Sequence, residues 1–412
     1  MQKNVKPLVS VIIPNYNHAQ YVGDAIRSVL AQEYVHYEII VVDDGSTDNS
    51  REVLSTFGDQ IQCIYQKNAG LSAARNTGIK ASKGALVGVL DADDMYESHY
   101  LSTLVSALQE NFDADGIYCG YQFVDHTNNL LPQVESRPVE PDKLYEALLD
   151  GNFFVPESIF LRRAVYENVG LFDEALQACE DWDVWLRTAK KYRIIHSARI
   201  LTRHRVLPGS MSTDPLRMLN NRLAVLKKHV GEEPDTSGSS TRHRSYGRAY
   251  LGSCVEYLQY GNPDRAYECF QKMANVCPGL LTEIDTFYQL GCGDQPKGSM
   301  GDLKSLNVKR NGAILLTMMT SLFMDASTTH NVKRLQRKAY ASAFHALGTL
   351  GYNTREFGEA RRFFSRSLWY DTKLLLNKQV VSMWLKSLMG PSLLDTLKNF
   401  RQKLKYDQNK SR

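Results

Sequence analysis

Four short apolar runs, separated by stretches with helical spacing, constrain the fold of the first half of the chain. The runs are LVSVII, YEIIVV, IQCIY and ALVGVL, and Ala19–Ala31 between the first two has the spacing of an amphipathic helix. Buried strands alternating with helices are typical of an α/β fold with a mostly parallel sheet covered on both faces. The sequence therefore predicts four strands, Leu8–Ile13, Tyr37–Val42, Ile61–Tyr65 and Ala85–Leu90. Pro14 is expected to end the first of them.

Polar and acidic groups follow three of these strands, as PNYN, DDGSTD and DADD. Because parallel strands direct their carboxyl ends to one edge of a sheet, these groups are expected to meet there. Asp91 and Asp93 alternate along an extended chain, so their carboxylates share a face and repel each other unless a cation lies between them. Such oxygen ligands suit Mg²⁺ or Mn²⁺. The alternative is a solvated acidic turn in which Asp94 caps the next helix.

Composition restricts the class of protein. The 412 residues are 43% hydrophobic and 23% charged with a net charge of +4, as in a globular protein of two or three domains. This charge is too small to indicate a nucleic-acid partner. Seven scattered cysteines without a C-x-x-C pair favour a reducing compartment over disulfides or a zinc site. With no signal peptide and no apolar run of roughly 20 residues, we expect a cytoplasmic protein, with any membrane contact peripheral.

The chain also contains, in this order, four segments that resemble the donor-binding half of family 2 glycosyltransferases: VSVIIPNYNHAQYVGDAIRSVLAQ, YEIIVVDDGSTDNS, NAGLSAARNTGI and LVGVLDADD. The resemblance covers residues 8–205, about half the chain. It implies the GT-A fold, a Rossmann-like variant of the α/β class. It also implies transfer of a sugar from a nucleotide-diphosphate sugar, with a divalent metal, Mn²⁺ or Mg²⁺, as the cofactor.

The resemblance assigns roles to residues at each strand tip. Tyr16 and Pro14 would lie against the nucleotide base, where a tyrosine ring is suited to stacking. Asp43 and Asp44 would accept hydrogen bonds from the base imide and the ribose, which favours a UDP-sugar. The nucleotide site would comprise Pro14, Tyr16, Asp43, Asp44, Arg75, Asp91 and Ala92, and the metal ligands would be Asp93 and Asp91. Arg75 would either contact the diphosphate or orient the aspartate cluster. In the structural alternatives Tyr16 covers the sheet edge, Asp44 caps a helix and Arg75 forms a surface salt bridge.

A second acidic pair, Glu180 and Asp181, follows the segment GLFD and resembles the E-D motif of the same family. An attacking sugar hydroxyl must lose its proton, and the resemblance makes Asp181 the general base. Glu180 would be secondary and would either orient Asp181 or contact the acceptor. In-line attack with a single base implies inversion at the anomeric carbon. The alternative is that Asp181 only caps a helix that begins at Val184.

The segment 203–212, RHRVLPGSMS, resembles the loop that closes over the donor in this family. Many relatives carry a histidine where this chain has Leu207. His204 or Arg205 is therefore the candidate for a contact with the diphosphate. No Q-x-x-R-W follows the E-D motif. A processive polymer synthase is thus disfavoured, and we expect one sugar per turnover.

The second half of the chain has a helical pattern. We predict a catalytic domain over 1–230, a linker over 231–245, a helical domain resembling tetratricopeptide repeats over 246–380, and a basic amphipathic tail over 381–412. The clearest predicted helices are Tyr246–Tyr260, Asp264–Asn275, Ala339–Leu350 and Phe357–Tyr370. These repeats either bind a protein partner or the acceptor, or they buttress the catalytic domain. The tail, with an apolar stripe from Leu393 to Leu404, either lies on an anionic membrane or caps the repeats.

The sequence thus predicts an inverting, metal-dependent, non-processive glycosyltransferase. Its acceptor would be a hydroxyl of a glycan or a lipid-linked molecule in bacterial surface polysaccharide synthesis. One alternative is a non-catalytic scaffold that binds partners through its helical repeats. Another is a nucleotidyltransferase, which would require a glycine-rich basic loop after the first strand, where this chain has PNYN.

Overall fold

The computed structural model describes residues 6–389, and the chain divides into two compact units after Glu232. In the first unit the strands are β1 Val9–Asn15, β2 Tyr37–Asp43, β3 Gln62–Tyr65, β4 Leu86–Val89, β5 Met95–Tyr96, β6 Gly116–Val124, β7 Leu130–Glu135, β8 Ile159–Arg162 and β9 Ile194–Arg205. Its helices are α1 Val22–Leu30, α2 Ser50–Ser55, α3 Leu71–Ala81, α4 Tyr100–Glu110, α5 Leu144–Leu149, α6 Arg163–Val169, α7 Glu180–Ala189 and α8 Pro215–Val230.

Within the described residues these strands form one sheet in the order β3-β2-β1-β4-β8-β6-β9-β5, with β7 paired to β6. The pairs among β1 to β4 are parallel, as the alternation of strands and helices predicts. Beyond β4 the sheet becomes mixed. Strand β8 is antiparallel to its neighbours β4 and β6, whereas β6 and β9 are parallel to each other. The predicted α/β architecture is confirmed, and the antiparallel strands belong to the half that carries the acidic pair after β8.

Two boundaries differ from the sequence prediction. Pro14 does not end β1 but lies within it, opposite Val42 of β2. This is possible because the pairing of β1 with β4 stops at Ile12, so proline occupies a stretch with a strand on one side only. Asp94 does not cap a helix, since it is buried and is followed directly by β5.

The core of this unit lies between the sheet and the helices α1 and α4. The inner face of α1 buries Val22, Ala25, Ile26 and Val29, which follow the expected helical spacing. Gly78 lets α3 approach the sheet closely, since a Cβ there would lie 2.3 Å from Cγ2 of Ile12. This packing fixes the carboxyl ends of the strands, where the polar loops lie.

The second unit is helical throughout its described part, with α9 Thr241–Gln259, α10 Pro263–Val276, α11 Ile284–Gly291, α12 Val308–Met324, α13 His330–Lys333, α14 Gln336–Asn353 and α15 Phe357–Tyr370. Residues 378–389 are also helical. The predicted hairpins correspond to α9/α10 and α14/α15, and α9 begins inside the predicted linker. Gly348 of α14 lies against the ring of Phe364, so the two helices of the second hairpin are in close contact.

The likeness of these hairpins to tetratricopeptide repeats remains a prediction, as do the roles suggested for them. The apolar stripe from Leu393 to Leu404 lies outside the described residues. Among residues 6–389, no helix has both the length and the apolar character needed to cross a bilayer.

Candidate active site

The loops that follow β1 and β2 are joined by side-chain hydrogen bonds. Asn15 Nδ2 donates to Asp43 Oδ2 at 3.1 Å, and Asn17 Oδ1 accepts from the backbone N of Thr47 at 2.7 Å. Ser46 Oγ in turn accepts from the backbone N of Asn17 at 3.0 Å. Asn17 has a left-handed backbone with φ 56°, a conformation that asparagine tolerates well. The first two predicted tips therefore form one continuous surface, with the Tyr16 side chain exposed beside it.

Asp44 organises the loop that leads into α3. Its Oδ1 accepts from Gln66 Nε2 at 2.7 Å and from the backbone N of Ala69 at 2.9 Å, and its Oδ2 accepts from Gly70 N at 2.8 Å. Asp43 is likewise buried and accepts from the backbone N of Ser46 at 3.0 Å. Both carboxylates thus shape the backbone around the predicted base pocket, and the contacts predicted between them and a nucleotide remain predictions.

The central feature of the site is Arg75 of α3, whose side chain is 1% exposed. Its Nη2 donates to Asp91 Oδ1 at 2.7 Å and to Asp91 Oδ2 at 2.9 Å, and its Nη1 donates to Glu180 Oε1. Burial alone would lower the pKa of Arg75, but Asp91 and Glu180 outweigh it and raise that pKa. Arg75 therefore joins the acidic loop after β4 to the acidic pair at the start of α7, which rules out the surface salt bridge considered above.

Contacts around Arg75 hold it in this position. Its guanidinium lies over the ring of Phe172, 5.2 Å from the centroid. The neighbouring Asn76 donates to the carbonyl of Phe172 at 2.9 Å and accepts from its backbone N at 2.9 Å. The segments NAGLSAARNTG and GLFD, which are about 90 residues apart, are thus one structural unit.

Asp91 and Asp93 differ in their partners. Both oxygens of Asp91 are paired with a fixed arginine, so this carboxylate is a weaker metal ligand than the sequence suggested. The side-chain carboxylate of Asp93 accepts no hydrogen bond from another residue of the 6–389 range and is only partly exposed. Burial, followed by the charges of Asp94 and Asp91, raises the pKa of Asp93 to about 7. A carboxylate in this setting is stabilised by a cation, so Asp93 fits the predicted metal.

Next to Asp93, the buried acids Asp94 and Glu157 and the partly buried His204 form a compact group. His204 Nδ1 lies 3.1 Å from Asp94 Oδ2 and 3.0 Å from Glu157 Oε1. Burial lowers the pKa of His204, but the two acids raise it well above its usual value, and burial raises the pKa of Asp94 to about 7. An imidazolium shared by two carboxylates accounts for these contacts, and the ligand atoms also lie close enough together for a metal ion.

Arg205 is occupied by the protein itself. Its Nε donates to the carbonyl of Asp93 at 2.8 Å, its Nη1 donates to the carbonyl of His126 at 3.0 Å, and its guanidinium lies 4.8 Å from the centroid of the Tyr21 ring. Its backbone N donates to Asp94 Oδ1 at 2.7 Å. Arg205 therefore positions the DADD loop, whereas its predicted contact with a diphosphate remains a prediction.

The acidic pair Glu180 and Asp181 lies in the first turn of α7, because the helix begins at Glu180 rather than at Val184. Asp181 is not the cap, since the N-cap residue is Cys179 in a left-handed conformation with φ 59°. Asn152 Nδ2 donates to Asp181 Oδ2 at 2.9 Å. Burial and the charge of Glu180 raise the pKa of Asp181 to about 6, a value suited to a general base near neutral pH.

Asp183 anchors the helix that carries this pair. Its fully buried carboxylate is 2.9 Å from Arg187 Nη2, 3.0 Å from Lys228 Nζ and 2.9 Å from His229 Nε2. Burial opposes ionisation, but these three partners lower the pKa of Asp183 to about 2. The negative charge at this position fixes α7 against α8 and so sets the position of Asp181.

Sequence analysis identified the acidic residues but missed several that hold them. Asn152 and Glu157 lie in GNFFVPES, a stretch without a motif of its own. The positions of Ala92, which is buried between Asp91 and Asp93, and of Pro14 are consistent with a packing role as well as a binding role. His204, which directly precedes Arg205, is predicted only as a possible diphosphate contact, and nothing in the sequence points to Glu157 as one of its two acidic partners.

Comparison with known proteins supports the same family. Residues 10–170 match the model of "Glycosyl transferase family 2". The chain is 33% identical over 302 residues to an uncharacterized glycosyltransferase of Rickettsia prowazekii, covering 69% of this chain and 92% of that protein. It is 30% identical over 289 residues to the uncharacterized glycosyltransferase EpsJ of Bacillus subtilis, covering 66% and 78%.

Among solved structures, S. aureus TarS in complex with UDP-GlcNAc aligns with a TM-score of 0.42 at 17% identity, covering 84% of this chain and 91% of that chain, a likeness too weak to carry an argument. The similarity to the rickettsial protein is different in kind, because it extends over nearly the whole of that glycosyltransferase. This similarity agrees with the family match and with the α/β unit that carries the acidic strand tips. The chain belongs to glycosyltransferase family 2.

Proposed function

We propose that this glycosyltransferase transfers one sugar per turnover from a UDP-sugar to a hydroxyl of a glycan or lipid-linked acceptor, with inversion at the anomeric carbon. Asp181 acts as the general base. The observation that carries the proposal is the buried link from Asp91 through Arg75 to Glu180. This link connects the loop expected to hold the diphosphate with the helix that holds the base.

Each side chain has a defined task in this reaction. Asp181 removes the proton of the attacking hydroxyl, and Asn152 keeps its Oδ2 oriented. Arg75 holds Asp91 and Glu180 in place, and Arg205 fixes the backbone of Asp93. A divalent ion, Mn²⁺ or Mg²⁺, held by Asp93 with Asp91 beside it, would neutralise the charge of the departing diphosphate.

The nature of the base pocket favours a uracil nucleotide. At the tips of β1 and β2, Tyr16 is exposed for stacking and the carboxylates of Asp43 and Asp44 lie buried beneath the surface. Carboxylates accept hydrogen bonds only, which suits the imide N–H of uracil. The acceptor class is proposed from the resemblance to the family, and bacterial surface polysaccharide is the product class we favour.

The test is UDP release from a panel of UDP-sugars in the presence of Mn²⁺. We expect the wild-type protein to release UDP, and Asp181→Asn to lose at least about 100-fold in rate while still binding UDP, as expected when a general base is removed. Glu167→Gln, an exposed acid on α6, serves as the control and should retain full activity. A wild-type protein that binds UDP but releases none from any sugar would favour the scaffold alternative.

A further inference from the structure

Large apolar side chains are exposed at the last helical hairpin of the described chain. Near the end of α15, Trp369 has an exposed fraction of 72%. In the turn that follows, Leu375 is 55% and Leu376 is 85% exposed. Single exposed apolar residues are normal on a protein surface, but three large ones in one short stretch mark a surface that contacts another apolar phase.

The helical residues 378–389 are apolar on two faces. One face packs on α15, where Val380 is buried and Trp384 Nε1 donates to Ser365 Oγ at 3.1 Å. The other face carries Leu385, Leu388 and Met389, which are 46%, 51% and 42% exposed. Their spacing of three and four residues places them on one side of the helix. The packing on α15 therefore leaves a second apolar face without a partner among the described residues.

The charge of this end of the chain is strongly asymmetric. Residues 361–412 contain 12 Lys and Arg against 3 Asp and Glu, whereas residues 1–360 contain 37 against 42. In the described part, Arg361, Arg366, Lys373, Lys378 and Lys386 share the hairpin with the exposed apolar side chains. Exposed apolar side chains together with an excess of positive charge are the features that bind an anionic lipid surface.

We propose that this hairpin, from α15 to residue 389, docks on the surface of an anionic phospholipid bilayer. Trp369 lies at the level of the headgroups, where tryptophan is favoured, and the leucines enter the boundary with the acyl chains. The arginines and lysines contact the lipid phosphates. A neutral protein surface would not complement this charge. The proposal concerns the second unit alone and does not depend on the transfer reaction.

The test is sedimentation of the full-length protein with vesicles of phosphatidylglycerol and phosphatidylcholine, compared with vesicles of phosphatidylcholine only. We expect binding to the anionic vesicles, weakening as salt increases. Trp384 lies in the same hairpin and is only partly buried, so the fluorescence is measured in a Trp384→Phe background. In that background Trp369 should report the docking as a blue shift, and Trp369→Phe should remove most of the shift because Trp182 and Trp185 are buried in the first unit.

The triple variant Leu385→Ser/Leu388→Ser/Met389→Ser should bind the anionic vesicles at least about tenfold more weakly, since three apolar side chains no longer leave water. Met324→Ser is the matched control, because Met324 is 80% exposed in the same unit, outside the hairpin. Circular dichroism and the melting temperature of all variants report on folding. Absence of vesicle binding by the wild-type protein would overturn the proposal. If the wild-type protein is then a dimer that the triple variant dissociates, the apolar face binds a second copy of the chain. If the wild-type protein is a monomer, the apolar face is assigned to contact with residues 390–412 of the same chain.

Discussion

Arg75 and Asp91 are joined by two hydrogen bonds from a single guanidinium nitrogen, at 2.7 and 2.9 Å. Because the other terminal nitrogen of Arg75 is bonded to Glu180, this one buried cation is shared by two carboxylates that are far apart in the sequence. The Nε of Arg75 has no hydrogen-bond partner among the described residues, whereas both terminal nitrogens are bonded to acids. We therefore expect Arg75 to contribute to both the stability and the arrangement of the site.

We expect Arg75→Met to destabilise the first unit by about 3–5 kcal/mol, because removal of one partner leaves buried carboxylates without a counter-charge. The measurement is unfolding in urea. Arg75→Met/Glu180→Gln should recover part of the loss, since one of the two uncompensated charges is gone. Arg193→Met removes an exposed ion pair with Asp113 and should cost no more than about 1 kcal/mol. Equal unfolding midpoints for Arg75→Met and wild type would show that the link has no energetic role.

The sequence predicted the parts of this site that lie close together along the chain. The strands β2 and β4 and their acidic ends follow from apolar runs that stop at Asp43 and Asp91. The pairing of Arg75 with Glu180 spans 105 residues, and no spacing rule connects residues at that distance. Only the resemblance to a family placed both in one site, and it left open whether the arginine contacts phosphate or carboxylate.

Other features could not be predicted because tertiary contacts override local preference. The segment DADD before a polar stretch favours a helix cap. Asp94 instead lies buried beside β9, where its carboxylate contacts the backbone N of Arg205 and the side chain of His204. The helix α7 begins four residues earlier than Val184, because Glu180 and Asp181 are stabilised in its first turn. In both cases the partner comes from a distant segment, which local patterns cannot report.

Asp93 is expected to be the main metal ligand. Mn²⁺ together with UDP should raise the melting temperature of the wild-type protein by mass action, and Asp93→Asn should abolish that rise. Since the pKa of Asp93 is about 7 without metal, protons compete with the ion below that pH. The apparent affinity for Mn²⁺ should therefore be about tenfold weaker at pH 6 than the limit reached at high pH.

The control for this measurement is Asp59→Asn, an exposed acid in the same unit that should leave the effect of Mn²⁺ intact. A response of Asp93→Asn equal to that of the wild type would place the metal elsewhere, and the group Asp94, Glu157 and His204 would then be the next site to test.

His204 is expected to act as the counter-charge of two buried acids. His204→Gln leaves Asp94 and Glu157 without a cation, so the melting temperature at neutral pH should fall. His204→Gln/Glu157→Gln should regain much of the loss, because one of the two acids is then uncharged.

The pH dependence has a definite sign. The pKa of His204 is raised in the folded protein, so its contribution to stability is complete below the unfolded value of about 6.5 and disappears as the pH rises through the folded value. The difference in melting temperature between wild type and His204→Gln should therefore shrink at alkaline pH. A fall in the melting temperature of Asp93→Asn on addition of EDTA would instead assign the group to a metal ion.

The hydrogen bond from Asn152 to Asp181 should set the acid limb of the activity profile. The pKa of Asp181 is raised to about 6, so this carboxyl keeps its proton to a higher pH than an ordinary aspartate. A general base works only when ionised, and kcat/KM should fall about tenfold per pH unit below pH 6 and level off above it. Asn152 donates to the ionised form, so Asn152→Ala should move the midpoint upward by about 0.5–1 unit. Asn168→Ala, which removes an exposed amide on α6, should leave the midpoint in place. If Asn152→Ala lowers the rate equally at every pH, Asn152 binds substrate instead of tuning the base.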